Sequence, residues 1–478
     1  MEYDVVLFNT MANYPIVAKT AGAYKIASSL RQEGYSVKVL DHFYEILIEA
    51  EVSNKDYLSF IRNISSNKTF LVGISSTWIE ELSTPTMAAA SDLKFVVFFD
   101  LLKTTFPNAK IVMGGYTENS YSFYNKFNNY IDIWLNGLAD TSIKELCKNL
   151  EVKDKLIYSK DTIEGFRDTP PTFCSKDSII VGETLPLEIS RGCRFKCKFC
   201  SFALLGRNPK NDKYLKSKNS LYSEMKFNYD NWNTTNYFML CDTFNETTDK
   251  LESILEVKNK LGIELNFSAY VRLDLLYYHR EQMSLLKELG LKTVFFGLET
   301  LNDKSGKSVG KGLGKSRILD ALELAKKEWG DGVRLHGHFI AGLPFDTPFT
   351  VSNWAEFLLE GNLPLDTWIL KPLHINPEHL FTSEFERNYE KYGYKIGEDG
   401  YWFNDNWNFK KAEELSNQIM SAKKTNTPTP WDYMALKNYK LPDHVIDNID
   451  YQDLYAKKYQ SYKIDYLKNY TQKLWENV

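Results

Sequence analysis

Apolar positions in the first 150 residues switch between two periods. Tyr3-Asp4-Val5-Val6-Leu7-Phe8 reads as a buried strand, whereas Ala23, Ile26, Ala27 and Leu30 recur at helical spacing between Ala21 and Glu33 and stop at Gly34. Val37-Lys38-Val39-Leu40, Thr69 to Ser75, Lys110 to Met113 and Ile131 to Leu135 repeat the strand pattern, and Thr141 to Leu150 the helical one. This alternation predicts a parallel sheet covered by helices, a doubly wound Rossmann-like α/β domain over residues 1–150. Ligands of such sheets sit at the carboxyl ends of the strands. Here those ends carry Asn9 to Pro15, Ser75-Ser76-Thr77-Trp78 and Gly114-Gly115-Tyr116-Thr117, small and hydroxyl residues that allow close approach.

Residues 151–182 read as a connector, charged early and stiffened later by Pro170-Pro171. A second α/β series fills residues 183–400. Its strand candidates are Pro186 to Ser190, Asn236 to Cys241, Glu264 to Val271, Thr293 to Leu298, Val333 to Ala341 and Asp366 to Leu373. Helical segments at Lys250 to Leu261, Arg280 to Leu289 and Ser316 to Trp329 separate them, so the simplest expectation is a partial or complete barrel of parallel strands. From about residue 401 to 478 the alternation gives way to a helical extension carrying Trp402, Trp407 and Trp431. No repeat of fixed period emerges.

Composition narrows the classes. Lys plus Arg is 58 against 62 Asp plus Glu, a net charge of -4 without long blocks of either sign, which disfavours a basic nucleic-acid binder. With 25 Gly and 15 Pro in 478 residues, collagen-like and low-complexity chains are excluded. No uncharged apolar run approaches the roughly 20 residues of a membrane span. The first residues, MEYDVVLFNT, hold an acid where a signal peptide has its basic segment, so a cytoplasmic protein is expected. Of six cysteines, Cys193, Cys197 and Cys200 crowd together, which in such a chain suggests a metal site.

That cluster closes the run Leu187-Glu188-Ile189-Ser190-Arg191-Gly192-Cys193-Arg194-Phe195-Lys196-Cys197-Lys198-Phe199-Cys200: a strand, a glycine turn, then thiols spaced C-x3-C-x2-C. A structural zinc site needs four protein ligands, and no fourth Cys or His lies near in sequence. Iron-sulfur cubanes are held by four cysteines, so three leave one iron open to an outside ligand. Arg191, Arg194, Lys196 and Lys198 favour thiolates over thiols. A loop of incidental or zinc-bound thiols is the alternative.

The motif resembles the radical S-adenosylmethionine (radical SAM) superfamily, whose members carry C-x3-C-x2-C after the first strand of a partial (β/α)6 barrel, with an aromatic before the third cysteine, here Phe199. The resemblance runs from Leu185 to about residue 400. It implies a [4Fe-4S] cluster on the three cysteines, S-adenosylmethionine (SAM) bound to the open iron, a one-electron donor such as flavodoxin or ferredoxin, and a 5'-deoxyadenosyl radical. It further implies SAM contacts at Asp242 and Thr243, in Met239-Leu240-Cys241-Asp242-Thr243-Phe244-Asn245, which departs from the better-known Gly-Gly-Glu form. Arg272 would pair with the ligand carboxylate, and Glu299, in Gly297-Leu298-Glu299-Thr300, with ribose hydroxyls or the amino group. Ile340 and Gly342, in Gly337-His338-Phe339-Ile340-Ala341-Gly342-Leu343-Pro344, would cradle adenine. His336 and His338 share a strand face, where satisfied, non-catalytic histidines are the expectation; Cys241 reads as a small buried hydrophobe.

Pro15, Ala23-Tyr24, Gly34-Tyr35, Val39-Leu40-Asp41, Val72-Gly73-Ile74-Ser75, Met113-Gly114-Gly115 and Leu135-Asn136-Gly137 look like the cobalamin-binding-type domain that precedes many radical SAM barrels. The D-x-H-x-x-G loop of the classical cobalamin domains is absent, and His42, after the second strand, is not an equivalent ligand. With cobalamin the resemblance implies methyl transfer to an unactivated carbon or phosphorus. A cobalamin-free radical SAM enzyme and a non-enzymatic zinc-binding module are the rival readings, and the substrate does not follow from these residues.

Overall fold

The computed structural model describes residues 2–9, 16–48, 54–75, 85–115, 127–159, 166–200, 214–375, 383–423 and 428–476. Residues 10–15, 76–78, 116 and 117, part of the strand-end reading above, lie outside them.

Six parallel strands form the amino-terminal sheet in the order β2-β1-β3-β4-β5-β6: β1 Val5–Phe8, β2 Val37–Leu40, β3 Leu71–Ser75, β4 Lys110–Gly115, β5 Ile133–Asn136 and β6 Leu156–Tyr158. Val5 and Leu7 pack into the core shared with the second sheet, while Val6 and Phe8 pack on the opposite face against Phe43 and Phe98. Burial on both faces accounts for the continuous apolar run. β4 runs two residues past Met113, through Gly114 and Gly115. β6 falls inside the segment read from sequence as a connector. The strand order reverses between β1 and β3, so the crevice expected of this topology opens at Asn9 and Ser75.

The second sheet is also six-stranded and parallel, each strand beside its predecessor: β7 Leu185–Leu187, β8 Asn236–Met239, β9 Asn266–Val271, β10 Leu291–Glu299, β11 Arg334–Ala341 and β12 Thr367–Pro372. β7 and β12 do not pair, which makes the barrel partial. All six strands fall where the apolar pattern places them. Val294 and Phe296 pack outward under the helices, whereas Tyr270, Phe295 and His336 stand side by side on the inner face.

The carboxyl-terminal extension joins both sheets. Helix Phe409–Ala422 lies on β12, helix Pro430–Leu436 crosses the inner face at β8 to β10, and helix Lys457–Glu476 packs against helix Asn54–Asn63. Trp431 stacks on Phe238 at 4.3 Å and donates to the Tyr270 hydroxyl at 3.1 Å. Lys19 and Glu183, both fully buried, pair at 3.5 Å; the Tyr466 hydroxyl donates to Glu183, and the Lys19 ammonium lies 4.3 Å from the Tyr470 ring centroid. Burial raises the Glu183 pKa, opposed by Lys19. Removing one member of a buried pair strands the other charge at a cost of about 3–5 kcal/mol. Glu183→Ala is therefore expected to lower the urea midpoint, followed by far-UV circular dichroism, and to expose the 457–476 helix to protease; an unchanged midpoint would refute this role.

Candidate functional site

The thiol loop begins at a charge clamp. Past β7, the Glu188 carboxylate accepts from Arg191 Nε at 2.6 Å and lies 3.4 Å from Lys25 Nζ. Arg191 also forks onto Asp140 of the amino-terminal domain at 2.7 and 3.1 Å. Burial opposes ionisation of Glu188, but Arg191 and Lys25 outweigh it and hold the pKa at about 2. Gly192 follows with φ 71°, a left-handed turn that suits glycine, and delivers Cys193 to the carboxyl end of the barrel.

All three thiols are half-buried. Cys193 Sγ lies 3.4 Å from Thr243 Oγ1, and Arg272 Nη1 donates to Cys197 Sγ at 3.4 Å. Burial raises the Cys193 pKa, with Thr243 pulling the other way. The loop is pinned from two sides. Lys198 N–H donates to Val309 O at 3.1 Å, and Phe385 N–H donates to Lys198 O at 3.0 Å. Gly310, at φ 85°, lies so close that a Cβ there would be 3.6 Å from Cys197 Cα. Phe199 packs against the barrel core. Among the described residues no three His, Cys, Asp or Glu side chains converge at metal-binding distance. Three thiols on one short loop beside a guanidinium fit an anionic iron-sulfur centre in donor chemistry.

The other predicted residues surround this loop. Arg272 stacks on Phe195 at 3.9 Å and spends its fork on Asp274, at 3.0 and 2.6 Å. Asp242 and Thr243 follow β8, and Lys250 fastens their turn by donating to Thr243 O at 3.0 Å and Ser190 Oγ at 2.8 Å. Glu299 closes β10 after a slip in register against β11, with φ 68°, and pairs with Lys311 at 3.1 Å. Bulges beside active sites re-aim a side chain in this way. Arg272, Asp274, Gly297, Lys311 and Gly312 line one crevice.

Ile340 is buried on β11. At Gly342, φ 103°, a Cβ would lie 2.6 Å from the Trp402 ring, and Tyr394 donates to Gly342 O at 2.7 Å; the protein's own aromatic side chains fill the close approach. His336 is fully buried with both ring nitrogens unpartnered, so the expectation of a satisfied His336 is corrected, and burial lowers the pKa of both it and His338. Cys241 is fully buried. Sequence reasoning missed Lys311 and Asp274. The glycine-flanked run Val309-Gly310-Lys311-Gly312 was the available signal for the first.

In the amino-terminal sheet, Asn9 bonds to Thr20 and Asp41 at its strand end. Small residues floor the crevice at Ser75, Gly114 and Gly115, and the buried Asn136 Oδ1 has no partner. An unpaired buried acceptor beside a glycine floor fits a bulky ligand carrying amide donors, such as cobalamin. His42 Nε2 lies 3.2 Å from the Tyr466 hydroxyl with its ring against Tyr466 and Tyr470, and burial lowers its pKa to about 3. It is enclosed rather than presented to a metal.

Residues 187–358 match the family model of the radical SAM superfamily. A Pyrococcus horikoshii protein named as an uncharacterized methyltransferase is 25% identical over 362 residues, 70% of this chain and 72% of that one. Among solved structures, the radical SAM methyltransferase TsrM of Kitasatospora setae, with cobalamin and a [4Fe-4S] cluster bound, aligns at TM-score 0.58 and 16% identity over 82% of this chain and 78% of its own. The cobalamin-dependent SAM radical enzyme OxsB aligns at TM-score 0.54 and 18% identity over 82% of this chain and 55% of its own. These likenesses show a shared fold.

Because Glu188 is depressed in the folded state, its stabilisation is present above about pH 4.5 and is lost as pH falls toward about 2. Glu188→Gln is expected to destabilise the protein at neutral pH, with the gap to wild type narrowing between pH 5 and pH 2 in urea titrations. A gap independent of pH would sink the charge-clamp account.

Proposed function

We propose that this radical SAM enzyme holds a [4Fe-4S] cluster on Cys193, Cys197 and Cys200, cleaves SAM reductively, and methylates its substrate with cobalamin carried by the amino-terminal sheet. The observation that carries the reading is the three-thiol loop at the carboxyl end of the first barrel strand, with Arg272 donating to Cys197. When bound, the cluster supplies the electron that opens the SAM sulfonium, and cobalamin supplies a cobalt-borne methyl group.

The chain's own residues do the holding. Arg272 offsets thiolate charge at Cys197, and Thr243 lies against Cys193. Asp242 offers an acceptor for the ligand's amino group, Glu299 one for amino or ribose hydrogens, and Ile340 an apolar contact. Ser75, Gly114 and Asn136 floor the cobalamin site. An external one-electron protein donor completes the reaction. No helix among the described residues is long and apolar enough to cross a membrane.

After anaerobic reconstitution, about four iron and four sulfide per chain are expected, and Cys193→Ala, Cys197→Ala or Cys200→Ala should abolish both the cluster and 5'-deoxyadenosine formation. Zinc without sulfide would overturn the reading in favour of a metal-binding module. Reconstitution with hydroxocobalamin followed by desalting should retain about one cobalt per chain; none, with the cluster intact, would replace the methyl-transfer reading with that of a cobalamin-free radical enzyme.

A further inference from the structure

Positive charge gathers on the surface around the thiol loop, although the chain as a whole carries a net charge of -4. Residues 302–317 hold Lys304, Lys307, Lys311, Lys315 and Arg317 against one acid, Asp303, and residues 191–200 hold Arg191, Arg194, Lys196 and Lys198 against none. Some of these cations are spent internally: Arg191 on Asp140 and Glu188, Lys198 on Glu384, Lys311 on Glu299. Arg194, Lys196, Lys304 and Lys307 are exposed and have no carboxylate partner among the described residues. The two segments meet at Gly310, whose amide donates to Lys307 O at 3.3 Å and on which a Cβ would lie 3.6 Å from both Lys196 O and Cys197 Cα. Lys307 and Lys196 thus flank an exposed stretch of bare backbone laid over a thiol-bearing residue.

Two phenylalanines extend this surface. Phe345 is 51% and Phe349 72% exposed, and the Lys304 ammonium lies 4.2 Å from the Phe345 ring centroid. Phe345 keeps a left-handed φ of 68°, a strain that persists only where the surroundings enforce it. The enforcing bonds come from the start of the lysine-bearing helix Asp303–Ser308: Ser305 Oγ donates to Pro344 O at 2.8 Å, and Asn302 Nδ2 to Phe345 O at 3.3 Å and to Asp346 Oδ1 at 3.2 Å. Strain is thereby spent on holding a large apolar ring in water beside a cation. Exposed apolar patches rimmed by charge mark interaction surfaces.

We propose that Lys304, Lys307, Phe345 and Phe349, with Arg194 and Lys196 at the edge toward the thiols, dock an acidic protein that delivers one electron to the cluster. The inference rests on the radical SAM reading above and gives its external donor a place on the chain. An aromatic centre with a cationic rim complements an acidic partner, and a patch this small suits the low-area encounters of electron-transfer proteins. On docking, one electron leaves the partner's reduced carrier and enters the oxidised cluster, and no bond forms or breaks. A nucleic acid is the less favoured occupant, because four unpaired cations on a chain of net charge -4 offer it few phosphate contacts.

Anaerobic stopped-flow mixing of the cluster-loaded chain with a fully reduced acidic flavodoxin, and separately with dithionite, tests this, with loss of cluster absorbance as the readout. With flavodoxin, the double variant Lys304→Glu, Lys307→Glu should react about 10-fold or more slowly in dilute buffer, and its gap to wild type should close toward about 1 M salt, where screening shortens to about 3 Å. Phe349→Ala should be slower than wild type at every salt concentration. With dithionite all should match wild type, iron and sulfide content should be unchanged, and calorimetric binding of oxidised flavodoxin should weaken in parallel with the rates. A flavodoxin rate unaffected in the double variant, or a dithionite rate that falls with it, overturns the proposal. So does binding of single-stranded RNA that the double variant loses while keeping its flavodoxin rate. If wild type assembles no cluster, the radical SAM reading itself fails and this inference with it.

Discussion

Arg191 is shared between carboxylates from the two α/β domains, and the geometry around the thiols depends on it. Glu188 belongs to the strand that enters the loop, whereas Asp140 belongs to the amino-terminal domain, and the guanidinium satisfies both within 3.1 Å. Charges this buried are costly unless paired and hydrogen-bonded. Lys25 adds a second cation from the amino-terminal domain, 3.4 Å from Glu188. Displacing the start of the thiol loop would uncover charge on both domains at once, so the loop and the domain interface hold each other in place.

What could be read from sequence follows from how local each constraint is. The twelve strands of the two sheets announce themselves where both faces are buried, as in Val5 to Phe8 or Val294 to Phe296; only Leu156–Tyr158, three residues long at a sheet edge, gave no periodic signal. The thiols were legible because their spacing lies within one loop. The place of Lys311 was not, because it comes to the strand end through its pair with Glu299, 12 residues away, across a bulge with no sequence signature of its own. Gly342 shows the same limit. Its need for close approach was readable, but the occupant, Trp402, comes from 60 residues further along. His42 sits after the second strand in sequence, but its enclosure by Tyr466 and Tyr470 depends on a helix more than 400 residues downstream.

The carboxyl-terminal chain ties the two α/β domains to each other. Residues 434–439 bond to both domains where each approaches its site: Thr184, just before β7, donates to Asn438 Oδ1 at 2.8 Å and to Met434 O at 2.9 Å, while the Tyr439 hydroxyl accepts from Val17 N–H at 3.3 Å. Helix Lys457–Glu476 then seals the β2 end of the amino-terminal sheet, with the Tyr470 hydroxyl accepting from Asp41 N–H at 2.7 Å. Groups on two domains that must meet to react need a fixed separation, since misplacement by about 1 Å can cost 100-fold in rate. Two domains joined only by a linker would leave that distance to their interface alone. Here a third segment ties Val17 to Thr184 through side chains a few residues apart, and Trp431 in the same stretch reaches the Tyr270 hydroxyl on the inner face of the barrel. The tail therefore sets the span between the two strand-end crevices and also forms part of the barrel's inner wall.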